Sequence, residues 1–194
     1  MSLAAGSVPF ANIAARRTRG VDLRRVGSGT VSGTSLYRVA GFGPLAVAGL
    51  FEVGKGAVGP LLAGRDRPGL QAAAAGVSVS AHNWSPLLGG AGGRGISPSL
   101  GALLAIRPEG AGVLLTGLIA GKLLGETAIG SLVADAALVP VLRRTGGRRA
   151  AVAGAAVLAP MLVKRLMGNG PVVGPRWSTY RNRLLLDRDT WAKP

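Results

Sequence analysis

Three clusters in this 194-residue chain have residue types and spacing suited to chemistry. The first joins His82-Asn83-Trp84 to the loop Gly89-Gly90-Ala91-Gly92-Gly93-Arg94-Gly95, and His82 is the only histidine. Successive glycines let a backbone fold tightly and turn several N–H groups toward one anion. The embedded arginine adds a planar fork for phosphate oxygens. The second cluster is Gly27-Ser28-Gly29-Thr30-Val31-Ser32-Gly33-Thr34-Ser35, with Arg38 after it. It offers hydroxyls and backbone N–H groups to a phosphate. The third is Glu52 and Lys55, three apart and so on one helix face, inside an apolar run. That pair reads as a local ion pair and, compatibly, as the lining of a polar cavity. Each cluster alone also fits a plainer part: a flexible Gly-rich connector, a basic loop beside a membrane, a hydrogen-bonded structural histidine.

The composition narrows these options. With no cysteine there is no thiolate chemistry and no disulfide, and one histidine excludes a zinc site built on several. The net charge is +15, yet 48% of the residues are hydrophobic and only 4% are aromatic. A nucleic-acid binder this basic is rarely so apolar and so poor in stacking rings. Basic loops between apolar runs fit a protein in a bilayer with anionic lipid.

The elements that must position these clusters are apolar segments. Residues 1–15 carry no charged side chain and span about 22 Å as helix, short of the roughly 30 Å hydrocarbon core. They read as the end of a first transmembrane helix. Residues 16–38 read as a basic loop, 39–64 as a full span and 69–91 as a third run. Residues 95–106 and 110–121 are short runs split by Arg107-Pro108-Glu109, as in a re-entrant hairpin or tilted spans. Residues 127–142 and 150–163 are the last two. The expected fold is an all-α integral membrane bundle of about seven short transmembrane helices, with Gly/Arg loops forming the site. Residues 1–168 would form the membrane domain, and 169–194 a basic tail whose end lies on the membrane surface through Leu184 and Leu185. Alternating spans put the loops at 16–38, 89–97 and 122–126 and the tail on one side, with most of the 23 Lys and Arg. That side is expected to be cytoplasmic, although Arg143, Arg144, Arg148 and Arg149 fall on the other.

In their order along the chain these clusters resemble the bacterial acyl-phosphate:glycerol-3-phosphate acyltransferase family, PlsY. The resemblance runs through Ser7-Val8-Pro9-Phe10, the Gly27–Ser35 loop with Arg38, then Glu52, Lys55 and Gly56, then His82-Asn83-Trp84 and Gly92-Gly93-Arg94-Gly95. Thr30 and Ser35 stand where the family has asparagines, Ala81 where it has glycine and Arg94 where it has lysine. The family's third motif aligns either on Arg183-Leu184-Leu185, with Tyr180 in the place of asparagine and Asp189 in that of glutamate, or on Arg165-Leu166-Met167-Gly168.

The resemblance implies a multi-pass enzyme of the bacterial inner membrane, with loops and C-terminus cytoplasmic. It would move an acyl group from acyl phosphate to the 1-hydroxyl of glycerol 3-phosphate, giving lysophosphatidic acid for phospholipid synthesis. Ser28 and Arg38 would bind phosphate oxygens, and Gly92, Gly93, Arg94 and Gly95 would cradle a phosphate. His82 would orient a substrate or assist proton removal, with His82, Arg94 and Ser28 closest to the chemistry. Thr30, Lys55 and Asp189 are further candidates, and the resemblance implies no metal and no cofactor. The partners would be the two substrates and the lipid bilayer, with no nucleic acid. The departures motivate a rival from another class: a non-catalytic relative that binds lipid phosphate or scaffolds a membrane complex. A small transporter would need more polar residues along a path than Glu52, Lys55 and Asp135.

Overall fold

The computed structural model describes residues 1–170, 172 and 174–187. Among them are nine α-helices, two single-turn 3-10 helices and no strand. The helices are α1 (Ser2–Ser7), α2 (Phe10–Arg19), α3 (Gly33–Ala40), α4 (Phe42–Ala63), α5 (Pro68–Asn83), α6 (Ile96–Ile106), α7 (Pro108–Leu123), α8 (Thr127–Met167) and α9 (Arg176–Leu186).

Several boundaries follow from local chemistry. Pro9 lacks an N–H and breaks the first apolar run, so residues 1–15 are not one helix but α1 and the start of α2. The basic stretch 16–38 is likewise not all loop. Arg16, Arg17 and Arg19 occupy the last turn of α2, where cations complement the helix dipole, and Gly20 ends the helix in a left-handed conformation. Arg38 lies on α3, which Ser32 caps by accepting the Ser35 N–H at 3.2 Å. Pro68 and Pro108 open α5 and α7 from the first turn, where a missing N–H costs nothing.

The runs at 127–142 and 150–163 both belong to α8, whose backbone turns back at Gly147 (φ 70°, ψ −161°). Its two arms lie antiparallel. Arg165 donates to the Ala128 carbonyl and the Ser131 hydroxyl, and a Cβ at Gly154 would meet Leu142. Arg143, Arg144, Arg148 and Arg149 therefore surround a tight hairpin tip rather than an extended loop. Arg107 reaches the same tip.

Burial is inverted relative to a water-soluble protein. Glu52, Lys55, Gln71, His82, Asp135 and Lys164 are buried, whereas Phe42, Leu50, Leu61 and Leu62 of α4 are largely exposed. Leu115, Ile119, Leu123 and Val133 continue that outward apolar surface on α7 and α8. This is the distribution of a helix bundle whose solvent is lipid. Among the described residues, α4 and α8 are long and apolar enough to cross a membrane, and α6 is a shorter apolar helix.

Small residues hold the bundle together. Leu103, Leu114, Leu138, Leu142 and Val157 interlock with Ala75, Ala102 and Ala150. Where α4 crosses α6 the backbones touch: a Cβ at Gly56 would strike the Pro98 carbonyl, and one at Gly101 the Val53 carbonyl. Lipid offers apolar groups no reason to desert it, so such close van der Waals approach drives association. A second cluster, with Leu23, Val31, Leu36 and Leu88, anchors the loops after α2 and α5.

Candidate active site

The site lies at the end of the bundle where α5, the second arm of α8 and α9 meet the loops. Its anchor is a buried polar chain. Glu52 Oε1 accepts the Ala11 N–H at 3.1 Å, and Oε2 lies 2.7 Å from Lys55 Nζ and 3.1 Å from His82 Nδ1. Lys55 also donates to the Val8 carbonyl at 2.6 Å. The expected Glu52–Lys55 pair is thus formed, and it does a further thing that spacing along one helix could not show. It ties the α1–α2 break to the imidazole at the end of α5. Lys55 itself stays with that break and does not reach the phosphate-type loops.

The His82 stretch folds as expected into a helix end followed by a Gly-rich loop. The loop lies flat on the end of α5. A Cβ at Gly93 would strike His82 Nε2 and lie 2.6 Å from the Val31 carbonyl. One at Gly95, where φ is +82°, would lie 2.7 Å from Asn83 Oδ1 and from Val79. Glycine is needed here for close approach and, at Gly95, for conformation as well.

Both loops come together. The Val31 N–H donates to the Gly92 carbonyl at 3.1 Å. Asn169 Nδ2 donates to the carbonyls of Gly29 (3.2 Å) and Gly92 (2.9 Å), tying both loops to the end of α8. Ser28 is exposed, with its hydroxyl 3.0 Å from that of Thr30, which is buried. Arg38 is exposed on α3. The turn before this loop is braced by Asp22, which accepts from Arg24 and Arg16. The Arg24 hydrogen bond, helped by Arg16, holds the Asp22 carboxyl well below the usual carboxylate range.

Arg94 is mostly buried. Its Nη1 donates to the Lys164 carbonyl at 2.8 Å, and its Nε lies 2.7 Å from Asp187 Oδ1 at the end of α9. Burial pushes the Asp187 carboxyl up, against the pull of Arg94 and Arg165. Arg94, Asp187, Asp135, Ser131 and Arg165 surround a small polar cavity. Among the described residues no cluster of three His or acidic side chains could hold a metal.

Of the residues expected to act, the structure gathers Ser28, Thr30, His82, Gly92, Gly93, Arg94 and Gly95 at one end, while Arg38 is exposed on α3, the helix that follows the first loop. Asp189 lies outside the described residues. No sequence pattern singles out Asn169 or Asp187 for this site, although Asn169 directly follows a stretch that aligns with the third motif. Both act on the loops from the far end of the chain, which no local pattern could reveal. Arg183 of the other candidate stretch has a structural place. It donates to the carbonyls of Leu166, Met167 and Gly170 and so caps α8. α9 turns Thr179, Asn182 and Arg183 inward and leaves Leu185 more exposed.

Comparison with known proteins bears on the family and the fold. The family model described as glycerol-3-phosphate acyltransferase matches residues 1–174, ending before α9. A glycerol-3-phosphate acyltransferase of Synechococcus sp. (strain CC9902) is 32% identical over 183 residues, covering 88% of this chain and 91% of the relative. One from Thermus thermophilus is 40% identical over 105 residues, about half of each protein (53% and 52%). The crystal structure of PlsY, an integral membrane glycerol 3-phosphate acyltransferase, in its glycerol 3-phosphate form superposes with a TM-score of 0.75 at 25% identity, over 84% of each chain. The chain belongs to the glycerol-3-phosphate acyltransferase family.

Proposed function

We propose that this protein transfers an acyl group from acyl phosphate to the 1-hydroxyl of glycerol 3-phosphate, forming lysophosphatidic acid in the bacterial inner membrane. The observation that carries this reading is the joining of the Gly27–Ser35 and Gly89–Gly95 loops, through Val31, Gly92 and Asn169, beside the only histidine. The acyl phosphate is a mixed anhydride with a good leaving group, so the reaction needs phosphate clamps and positioning more than a strong nucleophile. The substrate hydroxyl oxygen attacks the acyl carbon, the bond from that carbon to the phosphate oxygen breaks, and phosphate leaves with the hydroxyl proton. Ser28, Arg38, Arg94 and the N–H groups of Gly92, Gly93 and Gly95 hold phosphate oxygens. His82, its Nδ1 facing Glu52, turns Nε2 toward the Gly loop, where it orients the hydroxyl or relays its proton. Thr30 supports Ser28. The exposed leucines of α4 and α7 face acyl chains of the bilayer, and the loops face the cytoplasm.

The test is lysophosphatidate formation from acyl phosphate and glycerol 3-phosphate by the purified protein. Arg38→Ala and Arg94→Ala should each abolish it while the protein still inserts. Near wild-type turnover by both variants sinks this site. Binding of lipid phosphate without turnover by the wild type would instead favour a non-catalytic relative, the reading that the substituted Thr30 and Ser35 positions motivate.

A further inference from the structure

Four lysines and arginines are buried among the described residues, and three have their charge met. Lys55 has Glu52 and the Val8 carbonyl. Arg165 has Asp135 at 4.0 Å, the Ser131 hydroxyl and the carbonyls of Ala128 and Leu184. Arg183 has the three carbonyls that cap α8. Lys164 differs. It is 1% exposed, and among the described residues no carboxylate forms an ion pair with it. Its ammonium lies over the Trp84 ring, 5.3 Å from the centroid. Its charge is repelled by that of Arg94. A ring face offsets only part of the cost of removing an ammonium from water. What completes such a group is an anion.

The neighbourhood says which kind. Lys164 stands on the last turns of α8, with its own carbonyl on Arg94 and its side chain on Trp84, two residues after His82. It therefore sits behind the Gly loop. Arg94, the loop's own cation, is already countered by Asp187 at 2.7 Å. A site that must accept two phosphate-bearing substrates needs positive charge beyond that pair. We infer that Lys164 is a further phosphate-binding residue of this site, its ammonium donating to a phosphate oxygen at the inner wall while Trp84 shields the contact from water. This rests on the acyltransferase reading. The chemistry is shared by the acyl phosphate and by glycerol 3-phosphate, and the experiment separates them.

Lys164→Met and Lys164→Arg in the full-length protein are compared with wild type. The KM for each substrate is measured with the other saturating, and thermal stability is measured with and without inorganic phosphate or glycerol 3-phosphate. Losing a charge-assisted hydrogen bond should raise the KM of one substrate by about 10- to 100-fold. The substrate whose KM moves identifies the phosphate that Lys164 holds. Lys164→Arg should recover part of the loss. Without phosphate ions, Lys164→Met should melt no lower than wild type, because it removes an unpaired buried charge, but its stabilisation by a given concentration of phosphate should shrink in step with the weaker binding. Two KM values within about twofold of wild type overturn the inference. So does a Lys164→Met protein that melts lower yet keeps its full phosphate stabilisation, which would make Lys164 a structural prop for Trp84. Should the wild type show no turnover, the acyltransferase reading fails, and the phosphate-stabilisation arm still decides whether Lys164 binds an anion.

Discussion

Gly93→Ala tests the packing of the Gly loop on His82 with a single methyl group. The added Cβ would strike His82 Nε2, lie 2.6 Å from the Val31 carbonyl oxygen and 3.0 Å from His82 Cε1. Ordinary contacts of this kind need about 3.5 Å, so the ring or the loop must move by most of an ångström. Neither can move freely. The imidazole is held on its other side by Glu52 at 3.1 Å, and Val31 is bonded to Gly92 through its N–H. Overpacking of this sort costs about 1–3 kcal/mol. Applied wholly to the transition-state geometry, that is a fall in kcat/KM of about 5- to 150-fold. The assay is steady-state acyl transfer in detergent or liposomes. Gly112→Ala is the control, because a Cβ there meets open space on α7. It should leave the rate unchanged and add about 0.5–1 kcal/mol of stability. A well-folded Gly93→Ala protein with kcat/KM within about twofold of wild type would refute the claim that the loop is braced against the imidazole.

Other perturbations probe the supports. Asn169→Ala removes both hydrogen bonds that tie the loops to α8; stability should fall by about 1–3 kcal/mol and turnover with it, and hydrogen exchange should quicken at Val31 and around Gly92. Glu52→Ala leaves the buried Lys55 ammonium with the Val8 carbonyl and the Phe10 ring face but no carboxylate; denaturant unfolding should show a loss of about 3–5 kcal/mol, and Glu52→Gln a smaller one. Asp22 has its carboxyl pKa depressed in the folded protein, so its contribution is complete above the unfolded value of about 3.9 and is lost as pH falls toward the folded value. Asp22→Asn should therefore lower stability at neutral pH, where the contribution is complete, and flatten the acid limb of the profile below about pH 4, so that the two proteins converge as pH falls, as read by melting against pH.

Much of this protein is legible in its sequence because membrane helices and phosphate loops are locally encoded. An apolar run such as 42–63 must form its backbone hydrogen bonds within itself, so its helix follows from composition alone. The charged pair Glu52–Lys55 follows from helical spacing, and the Gly-rich loop after His82 from the absence of side chains. Boundaries are less legible. Pro9 divides the first run, the arginines of 16–19 extend α2, and Gly147 turns α8 back on itself where composition suggests two runs parted by a basic loop.

The tertiary structure alone decided who meets whom. Glu52 reaches His82 across thirty residues only because α4 and α5 pack side by side. Asn169 joins two loops that lie 140 and 77 residues away from it along the chain. Arg94 meets Asp187, and Lys164 is left without a carboxylate among the described residues, because α8 and α9 return to the end of the bundle where α5 stops. Sequence patterning sets which surface each segment buries. It carries no information on which buried polar groups end up within hydrogen-bond reach, since those distances are set by how the whole set of helices closes together.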